Sequence, residues 1–225
     1  NRLKAHLLEN IHPDAVARFK KEGYSLELSP KKLAEDELCA KMKDVAVLGI
    51  RSKTEVTKKV LENSPRLLAI GAFGIGTNQI ALEECSKRGI AVFNAPFSST
   101  RSVVELAIGD IIMLMRKAFD KSAKLHAGVW DKSSKNCFEI RGKKLGILGY
   151  GNIGTQLSII AEALGMEVYF YDITEKPVLG NAHRCGSMEE VLKKCDIVTV
   201  HMNSSPSNKN LISEREFALM KKGSI

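Results

Sequence analysis

Lys143-Lys144-Leu145-Gly146-Ile147-Leu148-Gly149-Tyr150-Gly151-Asn152-Ile153-Gly154 sets an apolar run of strand length against Gly-x-Gly-x-x-Gly, and a helical pattern follows at once. In such a strand–turn–helix, Gly149 permits the tight turn and Gly151 lets a pyrophosphate approach the backbone. Gly154 lets the new helix pack closely on its strand. The first amides of that helix have no internal partner and lie at the positive end of its dipole, so they suit a phosphate. A second apolar run, Val168-Tyr169-Phe170-Tyr171, ends at Asp172, roughly twenty residues past the first glycine as a dinucleotide fingerprint requires. A carboxylate there accepts hydrogen bonds from a ribose diol and repels a 2′-phosphate. No Arg follows in Ile173-Thr174-Glu175, so the pattern favours NAD over NADP. The alternative is that Asp172 only begins a turn before Pro177.

A chain of 225 residues has room for one large domain or two modest ones with ample core. Its 44% hydrophobic and 27% charged residues are ordinary for a globular α/β protein. The net charge of +8 is spread over scattered pairs such as Lys20-Lys21, Lys58-Lys59 and Lys221-Lys222, without interleaved aromatics. That pattern argues against a nucleic-acid partner, though it can attract anionic ligands. Five cysteines, with no Cys-x-x-Cys and no His at metal-ligand spacing, read as reduced thiols, with no metal site. The longest apolar stretch, Val103 to Met115, is interrupted by Glu105 and Asp110 and is too short to span a bilayer. With no signal peptide and no membrane partner, the expected compartment is the cytoplasm. The chain opens at Asn1 without an initiator Met and closes at Gly223-Ser224-Ile225, where an apolar strand is about to begin; both ends read as cut.

From Leu3 to about Asn94, strand-like runs (Lys4 to Glu9, Tyr24 to Leu28, Val45 to Ile50, Leu67 to Ile70, Ala91 to Phe93) alternate with helical patterns such as Glu35 to Met42 and Ile80 to Lys87. Such alternation implies βαβ units and a parallel sheet. Asn94-Ala95-Pro96-Phe97-Ser98-Ser99-Thr100 is the clearest boundary. Ser102 to Arg116 is almost wholly apolar and is expected as a helix buried between two layers. Asp131 to Asn136 reads as a surface loop. The single Trp130 before it suits either a subunit-interface anchor or a half-buried packing residue. After the nucleotide unit come a helix over Met188 to Lys193, a strand over Ile197 to His201, a loop from Met202 to Asn210 and a helix over Ser213 to Met220.

Sites in open parallel sheets lie beyond the carboxyl ends of strands, which directs attention to two loops. Gly49-Ile50-Arg51-Ser52-Lys53-Thr54 gathers a guanidinium, two hydroxyls and an ammonium, donors suited to a phosphoryl or carboxylate oxyanion. A solvated basic loop is the alternative that the residue chemistry alone favours. Ile70-Gly71-Ala72-Phe73-Gly74-Ile75-Gly76-Thr77-Asn78 would expose backbone amides able to hold a carboxylate, or would simply turn into the next helix.

Several of these stretches, in this order, resemble one family: Ile50-Arg51-Ser52-Lys53-Thr54, Gly74-Ile75-Gly76-Thr77-Asn78-Gln79, Phe93-Asn94-Ala95-Pro96-Phe97-Ser98-Ser99-Thr100-Arg101-Ser102, Arg141-Gly142-Lys143-Lys144-Leu145-Gly146-Ile147 with its glycine loop, and Tyr169-Phe170-Tyr171-Asp172. Over the whole chain the sequence is similar to the D-isomer-specific 2-hydroxyacid dehydrogenases. The resemblance implies an α/β architecture with a flavodoxin-like substrate domain, here 1–97, and a Rossmann NAD-binding domain, here 98–225 with 98–141 as a helical bridge, truncated at its C-terminus. It implies reversible hydride transfer between NAD and 3-phosphoglycerate in a homo-oligomer, commonly a tetramer. By resemblance, Arg51 and Ser52 bind the substrate phosphate and the Ile75 and Gly76 amides hold its carboxylate. Asn152 and Ile153 meet the cofactor pyrophosphate, in a cofactor-binding loop that includes Gly149, Gly151 and Gly154, and Asp172 meets the ribose. Ser99 stands where relatives often carry Asn and offers one hydrogen bond to the substrate; Asn203 stands where they tend to have Pro.

Alcohol oxidation needs a base and a cation beside the developing oxygen. Among His6, His12, His126, His183 and His201 only His201 ends a strand of the nucleotide unit, and the resemblance puts it in the cofactor-side loop. The catalytic His with its Glu partner and the essential Arg are implied downstream of Ile225, so no catalytic residue is assigned within the chain. The alternatives are a glycerate- or lactate-type D-2-hydroxyacid dehydrogenase, which has no use for so many oxyanion donors at Arg51-Ser52-Lys53-Thr54, and a non-catalytic NAD-sensing corepressor-like binding protein.

Overall fold

The computed structural model describes residues 2–203 and 205–225, in two compact units, Asn1–Ser99 and Thr100–Ile225. In the first, β1 (Lys4–Leu8), β2 (Ser25–Ser29), β3 (Val45–Ile50), β4 (Ala69–Ala72) and β5 (Ala91–Asn94) alternate with α1 (Pro13–Lys21), α2 (Glu35–Lys41), α3 (Lys58–Glu62) and α4 (Leu82–Lys87). All pairings are parallel, and the order β2-β1-β3-β4-β5 is the flavodoxin-like one, with its reversal between β1 and β3. Because helices cover both faces of such a sheet, β1 and β3 are buried along nearly their whole length, whereas β5 on the edge is mostly exposed. Leu8, Leu48, Ile50 and Ile70 from the strands meet Leu38 and Val60 from the helices in one core.

The second unit opens with α5 (Thr100–Met115) and α6 (Ala118–His126), then runs β6 (Lys144–Leu148), α7 (Asn152–Ala163), β7 (Glu167–Tyr171), β8 (His183–Arg184), α8 (Met188–Lys194), β9 (Ile197–Val200) and α9 (Glu214–Leu219). Its parallel sheet has the order β8-β7-β6-β9, the first half of a doubly wound nucleotide fold. Successive residues of β6 face opposite sides. Leu145 and Ile147 join Leu157 and Ala161 of α7 and Val104 and Ile111 of α5, while Leu148 joins Val191, Leu192 and Cys195 on the other side. Gly146 lies under α8, where a Cβ would stand 3.0 Å from the Cys195 sulfur. Beyond β9, Ile225 exchanges backbone hydrogen bonds with Asp196 and Val198, which places it in strand register alongside β9.

The helix expected over Ser102 to Arg116 is α5, and beyond Lys117, which is left-handed with φ 52°, α6 follows as a separate helix. Two features depart from the sequence reading. First, α5 is buried on one stripe only: Val104, Ile111 and Met115 are covered while Leu106 and Leu114 are exposed, because α7 covers just one side. Second, Trp130 is 74% exposed, with the Lys132 ammonium 4.2 Å from its ring centroid, which does not fit a half-buried packing residue. The loop from Met202 to Asn210 includes Ser204, outside the described residues.

His6 is fully buried in β1. Its Nε2 meets the Ser29 hydroxyl at 2.9 Å, and its Nδ1 has no partner among the described residues. Burial pushes its pKa below the ordinary value, outweighing the nearby Glu27 carboxylate. A histidine kept neutral by the fold stabilises it above the unfolded-state value of about 6.5, and that contribution is lost as pH falls below it. Thermal denaturation of the intact protein between about pH 7.5 and pH 5 is therefore expected to show a steeper loss of Tm for the native sequence than for His6→Leu. Parallel curves would show that His6 does not carry this dependence.

Candidate functional site

The turn from β6 into α7 is set by steric demands on its glycines. Gly149 has φ +94°, and a Cβ there would lie 2.8 Å from the His201 carbonyl oxygen, in the loop after β9. At Gly154 a Cβ would run into the Gly149 carbonyl oxygen, so the first turn of α7 can lie over the loop only if this residue has no side chain. Gly151 differs: nothing stands within 4 Å of where its Cβ would be. Packing does not explain a glycine facing open space, whereas an approaching ligand does.

The turn leaves donors free. Gly151 is the N-cap of α7 and supplies no side-chain cap, and among the described residues the amides of Gly151, Asn152, Ile153 and Gly154 make no hydrogen bond. They lie at the positive end of a helix of 12 residues, which suits them to an anion. Tyr150, between the glycines, points the other way. Its ring stacks on Phe170 with centroids 3.7 Å apart, and its hydroxyl donates to Ser158 of α7 at 2.9 Å. The loop is thereby pinned to β7 and α7 from behind.

Asp172 follows β7 and is half-buried. Its Oδ2 accepts the Tyr150 amide at 2.8 Å, and Oδ1 accepts the Thr174 amide and hydroxyl, each at 2.9 Å. Burial opposes ionisation, but these donors outweigh it and hold the carboxyl below its ordinary value. Three donors leave about one of a carboxylate's four acceptor directions open, enough for a ribose hydroxyl. Gly149, Gly151, Asp172, Thr174, His201 and Met202 line one cavity of about 590 Å³. It opens at the β6/β9 reversal of strand order, where such sheets bind ligands. His201 donates its amide to Leu148, and its Nε2 meets the Thr199 hydroxyl at 2.9 Å. Burial lowers its pKa.

In the first unit, Arg51 and Ser52 follow β3 at the other reversal, and both are exposed. Arg51 enters no ion pair among the described residues. The amides of Ile75 and Gly76 are likewise without a hydrogen bond among the described residues, although both carbonyls are held, Ile75 by the Asn94 side chain at 2.9 Å and Gly76 by Gln79 at 3.3 Å. Gln79 also donates to the Arg51 carbonyl at 2.8 Å, joining the two loops. Ser99 is half-buried at the end of this unit.

Sequence reasoning assigned no role to Glu9, Gln79, Asn94, Tyr150 or Thr174. Glu9 is an acidic residue ending the apolar run of β1, so the strand-end rule applied to the other loops would have found it. Its carboxylate accepts three amides of the Arg51 loop.

The family model for the D-isomer specific 2-hydroxyacid dehydrogenase, NAD binding domain, matches residues 108–225. The chain is 50% identical over 224 residues to a D-3-phosphoglycerate dehydrogenase of Dictyostelium discoideum, covering 100% of this chain and 55% of that protein. It is 46% identical over 226 residues to the D-3-phosphoglycerate dehydrogenase of Escherichia coli (strain K12), with the same two coverages. The chain thus spans about half the length of the curated relatives it matches. Among solved structures, a protein from Thermus thermophilus superposes with TM-score 0.90 at 23% identity, over 97% of this chain and 71% of that one. D-lactate dehydrogenase from Aquifex aeolicus, complexed with NAD and lactic acid, gives 0.83 at 24% identity, over 96% and 66%. These two likenesses concern the fold. With just over half of its length matched by the family's nucleotide-binding domain, the chain belongs to the D-isomer-specific 2-hydroxyacid dehydrogenases.

Proposed function

We propose that this chain carries the NAD-binding unit and a substrate-binding unit of a D-3-phosphoglycerate dehydrogenase. The enzyme oxidises 3-phosphoglycerate to 3-phosphohydroxypyruvate, the first step of L-serine biosynthesis. The observation that carries the reading is Arg51, a guanidinium exposed at the strand-order reversal, unpaired among the described residues and next to the Ser52 hydroxyl. An unphosphorylated hydroxyacid has a single anionic group, its carboxylate, whereas a phosphorylated one has a second for which the Arg51 and Ser52 donors are suited. The names of relatives at about half identity support the same substrate.

In this reading Arg51 and Ser52 hold the phosphate, and the amides of Ile75 and Gly76, unpaired among the described residues, hold the carboxylate. Ser99 contributes one further hydrogen bond. The amides from Gly151 to Gly154 take the pyrophosphate of NAD, over the turn that Gly149 makes possible. Asp172 takes the adenosine ribose and repels a 2′-phosphate. His201 borders the cofactor cavity, and proton transfer is assigned to residues beyond Ile225. A homo-oligomer, commonly a tetramer in this family, is supported by apolar side chains exposed on one stretch of the second unit, among them Leu106, Leu114, Leu125 and Trp130. The proposed compartment is the cytoplasm; no helix among the described residues is long and apolar enough to cross a membrane.

Two measurements on the full-length protein test the two halves. Gly151→Val is expected to weaken NADH binding, followed by fluorescence titration, by at least about tenfold with little change in Tm, because the new side chain meets only open space. Gly154→Val is expected to lower Tm as well, because its Cβ collides with the backbone of Gly149. Equal Tm losses in both variants would remove the ligand from the account of Gly151.

For the substrate, NADH oxidation is compared with 3-phosphohydroxypyruvate and with unphosphorylated hydroxypyruvate. A strong preference for the phosphorylated compound is expected, reduced about 10- to 100-fold by Arg51→Ala, the worth of one charge-assisted hydrogen-bonded pair. Equal rates would indicate a glycerate- or lactate-type dehydrogenase. Tight NADH binding without turnover of either would favour the corepressor-like reading.

A further inference from the structure

The loop after β3 has its backbone and its side chains turned to different tasks. Its amides converge on Glu9: Arg51 and Thr54 donate to Oε1 at 3.1 and 2.9 Å, and Lys53 donates to Oε2 at 3.0 Å. Glu9 stands immediately after β1, the strand beside β3 at the reversal of strand order. It is 7% exposed, and among the described residues no Lys or Arg pairs with it. Three amides of a kind that could receive a ligand anion are therefore already occupied by an anion of the fold. Any recognition by this loop falls to the side chains of Arg51, Ser52 and Lys53, all of which are exposed.

We infer that Glu9 is a positioning residue for phosphate recognition: by accepting the amides of Arg51, Lys53 and Thr54 it fixes the loop so that Arg51 and Ser52 face the ligand. The inference rests on the phosphate reading of Arg51 and Ser52 given above and names the group that makes those side chains effective. Two further observations support it. Glu9 and Asn10 have φ of 62° and 54°, a left-handed conformation that residues with side chains rarely adopt. A fold retains such a conformation where other contacts over-determine it, often at a ligand site. The Arg51 peptide is also gripped from its other side, because Gln79 donates to its carbonyl at 2.8 Å. Amide and carbonyl of the same residue are thus both held by buried or half-buried side chains, while the guanidinium has no protein partner in the described residues. The carboxylate is suited to the task because both of its oxygens accept. Burial opposes its ionisation, but the amides of Lys53, Thr54 and Arg51 stabilise the charged form, and the carboxyl is held below its ordinary value.

Glu9→Gln is the informative variant. It preserves the shape, and its one carbonyl oxygen can still serve Arg51 and Thr54, but its NH₂ group faces the Lys53 amide, donor against donor. In the full-length enzyme, KM and kcat are measured with NADH for 3-phosphohydroxypyruvate and for hydroxypyruvate, in the native protein, Glu9→Gln, Arg51→Ala and the double variant. The expected result is that Glu9→Gln raises KM for the phosphorylated substrate about tenfold more than KM for hydroxypyruvate, with the smaller change in kcat. The double variant is expected to lose less than the two single effects combined, because once the guanidinium is gone the scaffold positions only the Ser52 hydroxyl. A Glu9→Gln protein with lowered Tm and an unchanged ratio of KM values would overturn the inference and leave Glu9 a purely structural group. So would additive effects in the double variant. If Arg51→Ala itself leaves the ratio unchanged, the phosphate reading falls and this inference with it. An altered ratio in Arg51→Ala but not in Glu9→Gln rejects the inference alone. Should Glu9→Gln fail to fold, Glu9→Asp, which keeps the charge and withdraws it by one methylene, is judged by the same ratio.

Discussion

The contact on which the second unit depends is one between backbones. The first turn of α7 lies over the Gly149 carbonyl so closely that no side chain fits at Gly154. Because the helix begins there, its first amides have neither a capping side chain nor an earlier turn to bond. Unpaired donors at a helix start are unfavourable when buried and useful when they face a cleft. The fold holds them at a cleft by fastening the loop from behind. Tyr150 is driven into the core between Phe170 and Ser158, and its amide is taken by Asp172. The glycine loop is therefore fastened on its protein side, while the amides from Gly151 to Gly154 stay unbonded among the described residues, an arrangement that suits a pyrophosphate without reorganisation.

At the reversal of strand order in the first unit, donors are arranged by an opposite route. There the backbone amides after β3 are turned inward to Glu9, and flexible cationic and hydroxyl side chains are left outside. The glycine-rich loop after β4 reverses this arrangement once more. Its carbonyls are tied to Asn94 and Gln79, so the amides of Ile75 and Gly76 remain outward. The two neighbouring loops thus offer different donors, a charged planar fork from one and a pair of fixed peptide dipoles from the other. A ligand with two anionic groups of different geometry matches both at once. Gln79, bonded to a carbonyl in each loop, keeps them in register.

Much of this was legible in the sequence, for reasons that can be named. Parallel strands buried on both faces leave continuous apolar runs, so β1, β3, β6 and β7 stand out of the text. The glycines at 149, 151 and 154 are spaced by the geometry of a single turn, and Asp172 by the length of one helix and one strand. Side chains that serve distant backbone were not legible. Glu9 acts on amides 42 to 45 residues away, and an amide carries no residue identity that a pattern could reveal. The start of α6 was not legible because Lys117 takes a left-handed conformation without being glycine or asparagine. The covering of α5 was misjudged because composition reports how apolar a helix is and not how many neighbours it has. The two residues of β8 are too few for any periodicity.

Two carboxylates, Glu9 and Asp172, show how exposure decides the role of chemically equivalent groups. Each stands just past the end of a strand, and each accepts amides from the loop that follows a neighbouring strand. Each is held ionised against the cost of burial by those donors. Glu9 has amides on both oxygens and is closed off from solvent, so its charge is spent wholly within the protein and a ligand can sense it only through the loop it shapes. Asp172 remains half-exposed at the wall of a cavity, with an acceptor direction still free. The same bond pattern therefore closes one carboxylate within the protein and leaves the other an acceptor direction open to the cavity. The difference follows from where the sheet leaves room: at β7 the cavity extends to the carboxylate, whereas at β1 the loop after β3 has folded over it.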